Sequence, residues 1–154
     1  MGNRKGTSGK LRVLVDTTFL LPALGFSIEE EAEEIIPLFR KVEVFYLEIG
    51  LVEAMWKIIK LVPPQKLSRV ELGIEAIRRT YHLLEPPPSA YVTAIQIYDE
   101  GHKDYVDALY YATARACNVS LLTIDYSFID FLKERNYKVE GVVVTPKILK
   151  SIVK

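Results

Sequence analysis

The chain has few of the residues that build disulfide frameworks and zinc clusters. Cys117 is the only cysteine among 154 residues, which also include two histidines and one tryptophan. A single cysteine excludes an intrachain disulfide and a cysteine-based zinc cluster. No apolar run approaches the roughly 18 residues of a membrane span, and the basic N-terminus has no apolar segment followed by a cleavage site. We therefore expect a cytoplasmic protein without membrane contact.

Neither sign of charge is in excess over the whole chain. Lys and Arg total 20, as do Asp and Glu, so the formal net charge is zero. Residues 1–10 and 147–154 hold six of the basic residues and no acid, which leaves about −6 on the remainder. A passive nucleic-acid binder needs a basic surface, so an acidic body argues against that class of protein. A bound cation would reverse the charge locally.

The pattern of apolar residues predicts one α/β domain. The composition, with 49% apolar and 26% charged residues, is typical of a globular protein. We predict a flexible basic tail over residues 1–10 and a single domain over residues 11–154. Short β-favouring runs alternate with helical patterns, and these runs are too apolar for a sheet that exposes one face to solvent. The predicted fold is a three-layer α/β/α sandwich with a mostly parallel central sheet.

Turn residues and periodicity set the bounds of the predicted elements. Predicted strands lie at residues 11–16, 42–47, 120–125 and 142–144, and predicted helices at 27–39, 50–61, 66–82, 89–101, 103–118, 126–134 and from 146 onward. A capping box, Ser27 with Glu30 three residues later, predicts the start of the first helix. Gly101 and Asn118 are predicted to end helices.

Acidic residues stand near the ends of these predicted elements. They are Asp16 and Asp125 at the ends of strands, Glu53 near the start of a helix, and Asp104 and Asp107 early in another helix. Because sites in open α/β sheets lie at the carboxyl ends of the strands, these side chains can meet at one edge. Clustered carboxylates need a cation or bound protons. Oxygen ligands without histidine or cysteine favour Mg²⁺ or Mn²⁺, which points to phosphoryl transfer.

Several of these polar residues also have a purely structural interpretation. Asp16 can cap the helix that follows it. A carboxylate in a first helical turn is favoured by the helix dipole, which applies to Glu53 and to Asp104. His82 and His102 lie near predicted helix ends, and no pattern around them favours a catalytic or ligand role.

Four stretches together resemble the PIN-domain family, a metal-dependent ribonuclease-like fold that includes the VapC toxins of toxin–antitoxin systems. They are VLVDTTFLLP around Asp16, IGLVEAMWK around Glu53, DYVDALYYATA around Asp107 and LLTIDYSF around Asp125. The stretches occur in the order typical of the family and span about residues 11–145. The combination, rather than any single stretch, carries the resemblance.

The resemblance implies an activity, a cofactor and partners. It implies Asp16, Glu53, Asp107 and Asp125 as catalytic and metal-binding carboxylates, with Thr18, Thr123 and, at a lower rank, Asp104 in support. The implied protein is an endoribonuclease that hydrolyses RNA phosphodiester bonds with Mg²⁺ or Mn²⁺. Its implied partners are RNA, an antitoxin protein if the chain is a toxin, and a second copy of itself in a homodimer.

Two other functions stay open from the sequence. One is a catalytically silent PIN-like module that binds RNA or a protein while keeping its acids. The other is a phosphohydrolase in which Asp16 accepts the phosphoryl group. Haloacid-dehalogenase-like enzymes carry a second aspartate two residues later, where this chain has Thr18. That difference argues against the phosphohydrolase.

Overall fold

The computed structural model describes Lys5 and residues 9–153, and its centre is a five-stranded sheet. The strands are β1 (Arg12–Val15), β2 (Glu43–Tyr46), β3 (His82–Leu83), β4 (Ser120–Leu122) and β5 (Val143–Val144). They are ordered β3-β2-β1-β4-β5, and all four pairings are parallel. In register, Leu14 of the central strand lies opposite Phe45 on one side and Leu121 on the other. The parallel sheet predicted from the sequence is confirmed.

Helices cover both faces of the sheet. They are α1 (Glu30–Glu33), α2 (Glu48–Ile58), α3 (Leu67–Thr80), α4 (Pro88–Asp99), α5 (Tyr105–Cys117), α6 (Tyr126–Glu134) and α7 (Pro146–Ile152). Short 3₁₀ helices lie at Thr17–Leu20, Pro22–Leu24, Ile36–Lys41 and Pro64–Lys66. Within the described part of the chain, no helix is both long and apolar enough to cross a membrane.

Two hydrophobic clusters, one on each face of the sheet, make up the core. Side chains alternate along a strand, so Val13 and Val15 join the cluster under α1, α2, α3 and α7, whereas Leu14 joins the cluster under α4, α5 and α6. All three side chains are fully buried. This arrangement is the predicted α/β/α sandwich.

The prediction of one continuous α-helix over residues 27–39 is wrong. Only α1 is α-helical there, and its N-cap is Glu29, which makes no side-chain capping bond. The 3₁₀ helix Ile36–Lys41 follows, because Pro37 has no N–H and disfavours the α conformation in the residue before it. The capping residue predicted at Ser27 is replaced by a different contact, in which the Ile28 N–H donates to Glu33 Oε1 at 3.1 Å.

The edge strand β3 lies partly where a helix over residues 66–82 is predicted, and the sequence pattern does not predict it. Helix α3 ends at Thr80, and His82 and Leu83 then pair with Phe45 and Tyr46 of β2. Both residues of β3 are exposed. A two-residue strand with no buried face shows no apolar alternation, so periodicity could not reveal it.

The predicted flexible tail, residues 1–10, falls mostly outside the described residues. Of the part that is described, Lys5 forms an isolated antiparallel bridge with Leu11 just before β1. The predicted end of a helix at Asn118 is confirmed, since this residue is the C-cap of α5 and adopts the left-handed conformation with φ 54°.

Candidate active site

The structure brings the four principal acids predicted from the sequence into one pocket at the carboxyl edge of the sheet. The pocket has a volume of about 300 Å³. It is lined by Asp16, Glu53, Asp107 and Asp125, together with Thr17, Thr18, Glu29, Lys57, Asp104, Tyr110 and Ile124. Each of the four acids comes from a different segment, so the fold rather than local sequence brings them together.

Asp16 lies directly after the central strand. Its backbone N–H donates to the Leu122 carbonyl of β4 at 3.1 Å, which ties it to the neighbouring strand. Its side chain is also the N-cap of a 3₁₀ helix, because Oδ1 accepts the Thr18 N–H at 3.1 Å. The capping interpretation of Asp16 is therefore correct, and it coexists with a place in the pocket.

The prediction that Asp125 ends a strand is wrong. Strand β4 stops at Leu122, and Asp125 is the N-cap of α6, where Oδ1 accepts the Phe128 N–H at 3.0 Å. Its own N–H donates to the buried Thr123 hydroxyl at 3.0 Å. The Thr123 hydroxyl thus fixes the backbone of Asp125, and Thr123 is not among the residues that line the pocket.

Asp107 lies in the first turn of α5, and Asp104 is the N-cap of that helix. Oδ1 of Asp104 accepts the Asp107 N–H at 3.1 Å, and the Asp104 side chain also reaches the pocket rim. The interaction with the helix terminus that the sequence analysis suggested for Asp104 takes the form of this cap.

Capping by Asp104 leads to a stability prediction. Asp104→Ala should lower the free energy of unfolding by about 1 kcal/mol, because a first-turn N–H of α5 loses its acceptor. Asp104→Asn, which removes the charge but keeps a capping oxygen, should stay within about 0.5 kcal/mol of the wild type. Urea denaturation in EDTA measures both variants. Equal losses from the two substitutions would contradict the capping role.

Glu53 lies in the second turn of α2 rather than the first. The helix starts at Glu48, two residues before the predicted start at Gly50. The effect of the helix dipole falls off beyond the first turn, so it does not account for Glu53. Lys57, one turn further along the same helix, brings a positive charge to the pocket.

The carboxyl groups in this pocket differ in pKa. Burial, reinforced by the charges of Asp104 and Asp125, raises the pKa of Asp107 to about 8. Burial also raises the pKa of Asp16 to about 6, although hydrogen bonds from Thr123 and Thr18 oppose that shift. Without a cation, Asp107 therefore holds a proton at neutral pH, and Asp16 takes one up as the pH falls toward 6.

Asp125 behaves in the opposite way. Burial disfavours its charged form, but hydrogen bonds from the Ser127 hydroxyl, from the Phe128 N–H and from Asp107 outweigh burial and lower the pKa of Asp125. The neighbouring acids thus differ in charge, with Asp125 ionised and Asp107 protonated at neutral pH. Asp107 then donates its proton to Asp125 in a shared hydrogen bond.

His102, for which the sequence predicts no catalytic or ligand role, contacts one of the pocket acids. Its Nε2 lies 3.0 Å from Oδ2 of Asp107, and its ring stacks on Phe128 with the centroids 4.3 Å apart. Burial lowers the pKa of His102, which favours a neutral ring, so this contact is a hydrogen bond rather than an ion pair. A histidine in a loop has no periodic signal, and only its position two residues before the helix N-cap hinted at this placement.

Of the two consecutive tyrosines on α5, Tyr110 lines the pocket together with Asp104 and Asp107. The Tyr111 hydroxyl donates instead to the Lys138 carbonyl at 2.6 Å, away from the acids. Positions three and four residues beyond Asp107 are both helical neighbours, so spacing alone did not separate them.

The donor set fits a hard divalent cation. The pocket offers carboxylate oxygens and no thiol, and two of its acids have raised pKa values that a nearby positive charge would reverse. In the described ranges, no three His, Cys, Asp or Glu side chains already form a group that could hold a metal ion. The chemistry of the pocket thus suits the ion, while a complete ligand shell is not formed.

The fold and the pocket define an α/β protein with an acidic site at the carboxyl edge of a parallel sheet. Residues 13–133 match the family model of the PIN domain. Since this match covers most of the chain, the protein belongs to the PIN-domain family. No curated protein matches it in sequence.

Solved structures with low sequence identity share the fold. PAE2754 from Pyrobaculum aerophilum has a TM-score of 0.61 at 18% identity, over 92% of this chain and 94% of that chain. A chain in a toxin–antitoxin complex from Klebsiella pneumoniae has a TM-score of 0.59 at 21% identity, over 87% and 97%. VapC20 from Mycobacterium tuberculosis, described as a toxin that cleaves the sarcin–ricin loop, has a TM-score of 0.55 at 20% identity, over 76% and 94%. Identities this low show the fold alone.

Proposed function

We propose that the protein is a metal-dependent endoribonuclease that hydrolyses RNA phosphodiester bonds. The observation that carries the proposal is the convergence of Asp16, Glu53, Asp107 and Asp125, from four separate segments, in one pocket at the sheet edge. Membership of the PIN-domain family supports the same activity. The pKa values of two of these acids are raised, as is typical of clustered carboxylates at functional sites, and a bound cation would favour their charged forms.

The four acids are the proposed ligands of Mg²⁺ or Mn²⁺. When bound, such an ion supplies Lewis-acid activation of a water molecule and of the scissile phosphate. The chain supplies the rest: Thr18 and Thr123 hold Asp16 and Asp125 through hydrogen bonds. Lys57 brings a positive charge to the same pocket, where it is placed to contact a phosphate oxygen.

Charge explains why the proposed activity needs the metal. A phosphate approaching the pocket meets six acidic lining residues, which are the four proposed ligands together with Glu29 and Asp104, and Lys57 is the one basic side chain among the described lining residues. Repulsion between these groups opposes RNA binding unless positive charge enters with the substrate.

The proposal is tested by incubating the protein with a mixed pool of structured and single-stranded RNA in Mn²⁺, Mg²⁺ or EDTA. We expect cleavage with either metal and none in EDTA. Asp16→Asn should abolish cutting, whereas Asp130→Asn, which removes an exposed carboxylate from α6, should cut like the wild type. If the wild type binds RNA or a protein but does not cut with either metal, the silent PIN-like module becomes the better interpretation.

We extend the proposal to a toxin that is held inactive by an antitoxin protein in the cytoplasm. Support comes from the similarity to the chain in the Klebsiella pneumoniae toxin–antitoxin complex and to VapC20. Expression of the wild type in a bacterial host should arrest growth, and Asp16→Asn should not. Normal growth with active enzyme would favour a role in RNA processing.

A homodimer is also part of the proposal. Helix α4 exposes a row of large apolar side chains, namely Tyr91, Val92, Ile95 and Tyr98. Exposed apolar patches mark interaction surfaces more often than isolated apolar residues do. Sedimentation should show a dimer, and Val92→Glu together with Ile95→Glu should convert it to a monomer. A wild-type monomer at high concentration would contradict this part of the proposal.

A further inference from the structure

A buried hydroxyl contact joins three of the elements that carry the pocket acids. The Tyr110 hydroxyl and Thr17 Oγ1 lie 2.9 Å apart and share a hydrogen bond in which either group can donate. Tyr110 is 1% exposed and Thr17 is 2% exposed. Because burying a hydroxyl without a partner is costly, this bond sets the distance between α5 and the 3₁₀ helix that follows β1.

Gly50 of α2 lies directly against the Tyr110 hydroxyl. A Cβ atom placed on Gly50 would lie 2.2 Å from the Tyr110 hydroxyl oxygen and 3.4 Å from Leu20 Cδ1. The first distance is far inside van der Waals contact, so the hydroxyl occupies the space where a side chain at position 50 would begin. The missing Cβ lets α2 approach α5 this closely.

Each of the three contact residues lies within three positions of a pocket acid along the chain. Thr17 directly follows Asp16. Gly50 lies three residues, about one helical turn, before Glu53 on α2, and Tyr110 lies three residues after Asp107 on α5. Any shift of the hydroxyl therefore moves elements that carry three of the four acids.

We propose that Tyr110 is a positioning residue for the metal site: its hydroxyl, bonded to Thr17 and enclosed by Gly50, sets the spacing of the three elements that carry Asp16, Glu53 and Asp107. We call the three contact residues, Thr17, Gly50 and Tyr110, the hydroxyl clamp. This inference rests on the proposed nuclease function. Tyr110 itself acts through the acids and takes no part in the chemistry.

The first test removes the hydroxyl. Tyr110→Phe keeps the ring in the core and should weaken Mn²⁺ binding about tenfold, the usual cost of losing a residue that orients metal ligands. Calorimetric titration measures this affinity without RNA. Steady-state cleavage should show a lower kcat at half-saturating Mn²⁺ and a KM for RNA within about twofold of the wild type. Thr17→Val should have the same effect, and the double variant should be no worse than either single one, because both changes break one bond.

The second test uses the tight approach of Gly50. Gly50→Ala should push the hydroxyl away, lower the melting temperature in EDTA and weaken Mn²⁺ binding more than Tyr110→Phe does. Combining the two changes removes the atom that clashes, so the double variant should recover the melting temperature and the Mn²⁺ affinity of Tyr110→Phe alone. Effects that add instead of recovering would overturn the clamp.

Gly73 of α3 offers a matched control outside the pocket. A Cβ atom there would lie 2.3 Å from the Ala23 carbonyl oxygen, so Gly73→Ala should also lower the melting temperature. Because this clash involves backbone that carries no pocket acid, the variant should keep the wild-type Mn²⁺ affinity, and Tyr110→Phe should not rescue it. If Gly73→Ala weakens Mn²⁺ binding as much as Tyr110→Phe, general loosening explains the effect and the positioning role is overturned.

The measurements separate failure of the clamp from failure of the nuclease. A wild type that binds Mn²⁺ and cuts RNA, alongside a Tyr110→Phe variant with the same Mn²⁺ affinity and kcat, overturns the positioning role and leaves the proposed function intact. A wild type that neither binds Mn²⁺ nor cuts RNA overturns both. The recovery of the Gly50→Ala melting temperature by Tyr110→Phe is measured in EDTA. It therefore tests the contact between Gly50 and Tyr110 whether or not the wild type binds Mn²⁺.

Discussion

Asp107→Asn should reduce metal-dependent RNA cleavage by at least about 100-fold. Residues that merely orient a metal ligand already cost 10- to 100-fold when they are changed, and Asp107 is a proposed ligand itself. Asparagine has nearly the same shape and can still accept a hydrogen bond from His102, which lies 3.0 Å away in the wild type. The loss should therefore come from the missing carboxylate that would bind the metal ion rather than from a disturbed fold.

The control for this experiment is Asp99→Asn, which removes an exposed carboxylate at the end of α4. It should cut RNA at the wild-type rate. Cleavage should be followed at several Mn²⁺ concentrations, because a variant with weaker metal affinity recovers at high metal whereas one that lacks an essential ligand does not. Full activity of Asp107→Asn at low Mn²⁺ would remove this pocket from the proposed mechanism.

The same substitution should change how stability depends on pH in the metal-free protein. Burial and the neighbouring charges raise the pKa of Asp107 to about 8, above the ordinary value of 3.8. Between these values the folded protein holds a proton that the unfolded chain has released, so unfolding releases a proton and rising pH favours it. Asp107 therefore makes the wild type less stable as the pH rises from about 4 to about 8.

The size of this effect can be stated as a difference between two proteins. Each pKa unit corresponds to about 1.4 kcal/mol, so between pH 5 and pH 8 the wild type should lose about 3.5 kcal/mol more than Asp107→Asn. Asp16 and Asp125 interact with Asp107, so the difference between the two proteins reports the proton held by Asp107 together with its coupling to these neighbours.

Urea denaturation in EDTA at pH 5, 6, 7 and 8 measures the two stability profiles. At pH 8 the variant should be the more stable protein even though it is the inactive one, a trade that is common where function needs like charges packed together. Adding Mn²⁺ at pH 8 should stabilise the wild type more than the variant. Parallel profiles in EDTA would show that Asp107 ionises normally in the folded protein.

Local pattern was enough to predict the central part of the fold. The run from Leu11 to Val15 is apolar and β-branched, and the parallel β1 lies there with both faces buried. The predicted order of strands and helices is correct from β4 to α7. Pattern failed where an element has no buried stripe of its own, as in β3, or where one proline overrides an apolar repeat, as Pro37 does after α1.

The nature of the site follows from residue types, and its geometry follows from packing. Carboxylates near the ends of elements in a parallel sheet meet at one edge, so the sequence pattern predicted that its acids converge there. The resemblance to the PIN-domain family then singled out Asp16, Glu53, Asp107 and Asp125. Local spacing could not show the contact of His102 with Asp107, or that Tyr110 rather than Tyr111 turns toward the acids. Both features depend on tertiary contacts, since His102 stacks on Phe128 of α6 and Tyr110 shares a hydrogen bond with Thr17, which follows β1. Thr17 and Tyr110 are 93 residues apart, so local sequence shows no sign of their hydrogen bond, which exists only in the tertiary structure.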